Sequence, residues 1–202
     1  MGCKMPLKPH PPPPEDFNSL TLPVSTVSKR DYYRLNNSSY DSAIYFDKSG
    51  DGRFDEPSLS YGICYVGESL EAAFIECFGR DLGIRFVSEE LLRMRNLFVI
   101  NNERELKLVN LFGSGLAQLG MDSRVTGGGD YELSRSWSEA IYNHPDRVDG
   151  IRYYSRHDNT RLCCGLFDRT SSVLKENNQG NLIDNYTERL ADLLDLYKFG
   201  LG

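Results

Sequence analysis

The run from Tyr61 to Asp81, YGICYVGESLEAAFIECFGRD, constrains the fold of this 202-residue chain more than any other. Ile63, Tyr65 and Gly67 alternate with Cys64 and Val66, and both sets are fairly apolar, as in a strand covered on both faces. Ser69 suits a helix N-cap, Glu68 and Glu71 complement the positive end of the dipole, and Gly79 is the stop signal. At 100° per residue Phe74, Cys77, Phe78 and Asp81 share one side of this helix. Glu76 lies beside Ala72 and Ala73, where small side chains leave room for something to approach it.

The rest of the chain reads as mixed α/β. A first strand falls around Tyr32 to Leu35, LRMRNLFVINNERELKLVNL reads as strand, turn and strand, and DGIRYYSR and TRLCCGLF read as strands. GSGLAQLG, DYELSRSWSEAIYNH and the closing NYTERLADLLDLYKFG read as helices. The length predicts one domain. Six of the nine prolines lie in residues 1–22, so residues 1–26 are expected to be an extended arm, strapped onto a neighbour or loose, with the domain over 27–202.

A net charge of −6 argues against a broad electrostatic grip on nucleic acid or anionic membrane, while leaving room for a local basic pocket. No apolar run approaches the roughly 18 residues of a membrane span. MGCKMP begins like an acylation site, but Pro6 stands where the myristoylation pattern wants Ser or Thr. Five cysteines, with no CxxC pair and no histidine at zinc-ligand spacing, predict a cytoplasmic protein with reduced, inert thiols and no metal centre.

Three segments approach known ligand motifs. FDKSGDGRFDEPS resembles a calcium loop from Asp47, but position twelve is Ser58 and the helix-loop-helix frame is missing, so a solvated acidic turn is favoured over a calcium or interaction module at residues 47–58. LKLVNLFGSGLAQLG has Gly113, Gly115 and Gly120, but Gln118 occupies the place of the third fingerprint glycine. Gly127 to Gly129 can offer backbone N–H groups to an anion, although a loop is the commoner use of such a run.

The order YR, GRF, YVGESLEAAFIE, LSRSWSEAIYNH and DGIRYYSRHD…LFDR, over roughly Val27 to Asp168, resembles the RES domain, named for an Arg, a Glu and a Ser. The resemblance implies a compact α/β (α+β) fold similar to that of ADP-ribosyltransferase toxins. It further implies a toxin that depletes NAD⁺ by cleaving the nicotinamide–ribose bond, neutralised by an Xre-type antitoxin.

Carried over by position, Arg34 and Arg53 match the two family arginines, Tyr65 the strand tyrosine and Glu76 the helix glutamate. Ser134 and Ser155 both fit the family serine, with Ser134 favoured and Ser155 kept as a pocket residue. On this reading Glu76, Arg53 and Ser134 are catalytic, and Arg34, Arg53, Tyr65, Ser134 and Ser155 bind NAD⁺, with no further cofactor. The chemistry agrees: a carboxylate stabilises an oxocarbenium-like state, arginines grip a pyrophosphate, and a tyrosine ring stacks on nicotinamide. Water, phosphate or a protein side chain can be the acceptor, the last giving an ADP-ribosyltransferase, and a homo-oligomer is left open. His144 and His157 lie outside the core match and are assigned structural or surface roles.

Overall fold

The computed structural model describes residues 10–202 apart from Pro57, Leu59 and Asp130. In chain order the strands are β1 (Val24–Val27), β2 (Asp31–Asn37), β3 (Ile63–Gly67), β4 (Phe86–Val87), β5 (Arg95–Asn102), β6 (Leu106–Leu111), β7 (Gly150–Tyr154), β8 (Leu162–Phe167), β9 (Leu174–Asn181) and β10 (Gly200–Leu201). The helices are α1 (Leu70–Phe78), α2 (Glu89–Arg93), α3 (Ser114–Gln118), α4 (Arg124–Gly127), α5 (Tyr131–Asn143), α6 (Leu182–Asn185) and α7 (Thr187–Tyr197).

Eight strands form one sheet in the order β1-β6-β7-β8-β3-β2-β5-β9, while β10 and β4 pair separately. β6 and β7 run parallel, with α3, α4 and α5 between them in the chain, and the other pairs of the large sheet are antiparallel. The fold is thus a mixed α/β domain built on one large sheet.

Side-chain alternation assigns the two faces. On β3, Ile63 and Tyr65 pack toward Phe54, Tyr153, Cys163 and Trp137, whereas Cys64 and Val66 pack with Tyr32, Phe98, Cys164 and Leu166. A third cluster joins Leu70 and Phe74 of α1 to Tyr33 and Leu35 of β2 and to Leu190 and Leu193 of α7. The Phe74 ring meets Phe78, Tyr197 and Phe199 at centroid distances of 5.0, 6.1 and 6.0 Å. These contacts fix α1, which carries Glu76, against β3 and β2.

The start of α1 is fixed twice. Ser69 accepts from Ala72 N at 3.2 Å, and the neighbouring Glu68 carboxylate is held by Arg30 at 2.8 Å and by both Nε and Nη2 of Arg152. Gly79 closes the helix, its N–H donating to Ile75 O at 2.8 Å.

The expected arm is described from His10 onward, and from there it packs on its own domain. Trp137 Nε1 donates to Pro11 O at 3.1 Å, Phe17 and Leu22 are buried in the core, and the boundary drawn at residue 26 falls inside β1, which pairs with β6. Met1 to Pro9, including Cys3 and Pro6, lie outside the described residues. Gly113 and Gly120 are turn residues with positive φ, and a side chain at Gly115 would meet Asn110 O at 2.1 Å, so the near-fingerprint serves turning and close packing. Among the described residues no helix is long and apolar enough to cross a membrane.

Candidate active site

The candidate site lies on the Tyr65 face of the sheet, where the turn before β3, the helix after it, the start of α5 and the end of β7 approach one another. Arg53 is nine-tenths buried. Its guanidinium donates to Gly128 O at 2.6 Å and stacks on the Tyr131 ring at 4.6 Å, while its Nη2 is buried with no hydrogen-bond partner among the described residues. Burial lowers its pKa, and Tyr131, Arg156 and Glu76 all act on its charge. Nη2 therefore lacks an acceptor within the protein, which an anion reaching this guanidinium would supply.

Glu76 is half-buried, and its carboxylate makes no hydrogen bond or ion pair among the described residues. Its charge acts on Arg53, Tyr153, Cys163 and His157, so it belongs to the same electrostatic neighbourhood. Arg80, one turn on, donates from Nε to Glu76 O at 2.9 Å. Arg80, Arg156 and Arg53 all press on His157, which burial and these cations hold below the ordinary imidazole range against the pull of Glu76. One free carboxylate among several cations suits a substrate that brings its own anionic group and develops positive charge at one end.

The remaining sequence candidates are engaged in other contacts. Arg34 does not join this cluster. Its Nη1 donates to Ala43 O at 3.0 Å and Tyr45 O at 3.2 Å and lies 3.0 Å from Cys64 Sγ, and Cys64 faces away from Tyr65 because adjacent strand residues alternate. The Tyr65 hydroxyl is fully engaged, accepting from Phe54 N at 3.0 Å and donating to Asp55 Oδ1 at 2.7 Å. Ser134 is completely buried and donates to Val125 O at 2.6 Å, tying α5 to α4. Ser155 is also buried, and its Oγ accepts from His157 N and Asp158 N at 3.1 and 3.3 Å, shaping the turn after β7.

The acidic turn around Arg53 does not turn to solvent throughout. Asp51 is exposed, but Asp55 and Glu56 are buried. Asp55 takes hydrogen bonds from Tyr65 and Gly52 N, and Glu56 from Ser58 N, Ser58 Oγ and Ser60 N. Asp47 caps Ser49 N at 2.8 Å. These carboxylates therefore serve separate backbone groups instead of converging, and among the described residues no three His, Cys, Asp or Glu side chains form a metal-binding group. The glycine run presents the Gly128 carbonyl to Arg53, which reverses the polarity of the anion site considered for it.

Tyr131, Arg80, Arg156 and His157 were not singled out as site residues by sequence position. Tyr131 is the residue that opens α5 after the glycine run, and Arg156–His157 directly follow Ser155 in the YYSRHD motif; those placements are the signals that could have found them. His144 lies apart, buried against Phe17, with Nε2 3.2 Å from Leu20 O.

An α/β domain with a buried arginine and a helix carboxylate in one electrostatic cluster is the class defined by this geometry. The family model for the RES domain matches residues 31–187, and the chain belongs to that family. It is 31% identical over 90 residues to a Sinorhizobium fredii protein named "Probable toxin y4kH", a match covering 45% of this chain and 69% of that one. Its fold is similar to a chain in the crystal structure of the M. tuberculosis MbcT-MbcA toxin-antitoxin complex. That match has a TM-score of 0.62 and 14% identity, and covers 86% of this chain and 92% of the other.

Proposed function

We propose that this chain is a toxin that cleaves the nicotinamide–ribose bond of NAD⁺ and is held in check by an Xre-type antitoxin. The observation that carries the catalytic reading is that Arg53, with its orphaned Nη2, lies within electrostatic reach of Glu76, whose carboxylate makes no hydrogen bond or ion pair among the described residues. Arg53 takes the pyrophosphate, and Arg80 and Arg156 add positive potential around it.

When the N-glycosidic bond breaks, its electron pair leaves with nicotinamide, which departs neutral, and positive charge moves onto the ribose. Glu76 stabilises that charge and orients the incoming acceptor. With water as acceptor, ADP-ribose and a proton result; with phosphate, the product is ADP-ribose phosphate. The partner assignment is supported by the toxin–antitoxin assembly named for the similar structure and by the family resemblance.

Incubating the purified protein with NAD⁺ and following nicotinamide release tests the reading. Wild type is expected to release nicotinamide, and Glu76→Gln to lose roughly 10²–10³-fold in rate, the scale of a removed transition-state electrostatic contact. No release by wild type, or an undiminished rate in Glu76→Gln, overturns it.

A further inference from the structure

We infer that Asp55 and Tyr65 form a positioning pair that fixes the Arg53 guanidinium in the candidate site, acting through the backbone of the turn that carries it. The inference rests on the proposed NAD⁺ reading and assigns Tyr65 a different part from stacking on the substrate.

The geometry is a closed set of bonds around one residue. Phe54 N–H donates to Tyr65 Oη at 3.0 Å, so the tyrosine's own hydrogen goes to Asp55 Oδ1, at 2.7 Å. The second Asp55 oxygen accepts from Gly52 N at 2.7 Å, and Asp55 N donates back to Gly52 O at 3.3 Å. The residues on both sides of Arg53 are therefore pinned to the floor of the sheet. Arg135 adds Nε and Nη2 hydrogen bonds to Gly52 O at 3.3 and 3.2 Å. Phe54 plugs the core, its ring 5.0 Å from Tyr153.

Gly52 is required by this arrangement. A Cβ there would lie 2.4 Å from Asp55 Oδ1 and 2.6 Å from Tyr65 Oη, so any side chain breaks the pair. Asp55 is 1% exposed, and each of its two carboxylate oxygens already accepts a hydrogen bond from inside the protein. Its partners are consumed in holding the turn, and the turn holds Arg53.

The test is a double-mutant cycle read by titration with ADP-ribose and by steady-state kinetics with NAD⁺. Wild type is expected to bind ADP-ribose and release nicotinamide. Tyr65→Phe keeps the ring but orphans Phe54 N–H, and is expected to weaken ADP-ribose binding and raise KM by about tenfold with kcat nearly unchanged, as for loss of uniform binding. Asp55→Asn, which turns an NH₂ toward one of the two donors, is expected to match it.

In an Arg53→Ala background, Tyr65→Phe should have no further effect, because the pair acts through Arg53. An equal loss with and without Arg53 would show that Tyr65 touches the ligand itself and would overturn the inference, as would a Tyr65→Phe enzyme with wild-type KM. Should Asp55→Asn fail to fold, Tyr65→Phe carries the test alone. A wild type that neither binds ADP-ribose nor releases nicotinamide removes the NAD⁺ reading and this inference with it; only the variant arms reject the inference alone.

Discussion

Arg34 Nη1 lies 3.0 Å from Cys64 Sγ, on the face of the sheet opposite the one Tyr65 occupies. Arg34 and Arg53, equivalent in the sequence pattern, therefore do different physical work. Arg34 anchors the carbonyls of Ala43 and Tyr45 at the root of the long β2–β3 connection, and Glu176 holds the same loop from the other side through Ala43 N at 2.7 Å and Ile44 N at 2.9 Å. Arg34→Ala removes the hydrogen bonds to both carbonyls, and because Ala43 O keeps Tyr45 N at 3.0 Å and Tyr45 is exposed, the cost is about 0.5–1.5 kcal/mol per bond. The expected result is a lower midpoint in thermal unfolding, with nicotinamide release per folded molecule close to wild type. Arg53→Ala should do the reverse, raising KM for NAD⁺ at least tenfold with a smaller change in unfolding midpoint, since it also removes a desolvated charge.

Ser134 offers a second separation of roles. Its hydroxyl is spent on Val125 O, and α4 leads directly to Gly128, whose carbonyl holds Arg53. Ser134→Ala removes one net hydrogen bond worth about 1 kcal/mol, or roughly 2–4 °C in unfolding midpoint for a domain of this size. Nicotinamide release should fall less than tenfold. A loss of 10²-fold or more in kcat at unchanged stability would instead mark a hydroxyl acting on the reacting atoms.

Acid should affect the site and the fold in different ranges. Burial pushes the Asp55 carboxyl up, opposed by its hydrogen bonds from Tyr65 and Gly52 and by Arg135, with Asp47 adding to the rise. Because the folded pKa is the higher one, ionised Asp55 costs stability at neutral pH, and that cost is relieved as protons bind on acidification. Its protonation nonetheless removes an acceptor from the pair with Tyr65.

Glu56 is the opposite case. Burial raises it, but hydrogen bonds from Ser60 and Ser58 prevail and bring it from 4.5 down to about 2. Its contribution to stability is present above 4.5 and is lost as pH falls toward 2. ADP-ribose affinity, followed by titration across pH, should therefore decline before the unfolding midpoint drops through Glu56. In a Tyr65→Phe variant the Asp55-linked decline should shrink.

The strand–helix unit was legible because both of its signals are local. Alternation at Ile63 to Gly67 marks β3, and Ser69 and Gly79 mark the ends of α1. β9 was not, since LKENNQGN carries little apolar alternation; it forms as an edge strand held by main-chain bonds to β5, where side-chain burial is not required. The acidic turn misled for a related reason. Nothing in the spacing of Asp55 and Glu56 says that their acceptors meet donors from Tyr65, Ser58 and Ser60 inside the protein, because a buried carboxylate is recognised only by its partners. Glu76 was legible through Ala72 and Ala73, but the cations around it, Arg53, Arg80 and Arg156, come from three separate segments.

The segment after the proline run makes the last prediction, through the only tryptophan in the chain. Trp137 is 1% exposed, its indole N–H donates to Pro11 O, and Phe17 meets its ring edge-on at 5.5 Å and that of His144 at the same distance. Phe17 is 4% exposed and seals this corner of the core, so Phe17→Ala should cost about 3–5 kcal/mol, the range for a deleted buried phenyl. The indole loses its neighbour at the same time, so Trp137 fluorescence is expected to shift to longer wavelength in the folded variant as water reaches the ring. Chemical denaturation followed by that fluorescence reads both effects at once. A wild-type emission maximum and midpoint in Phe17→Ala would show that residues 10–22 lie on the domain without supporting it.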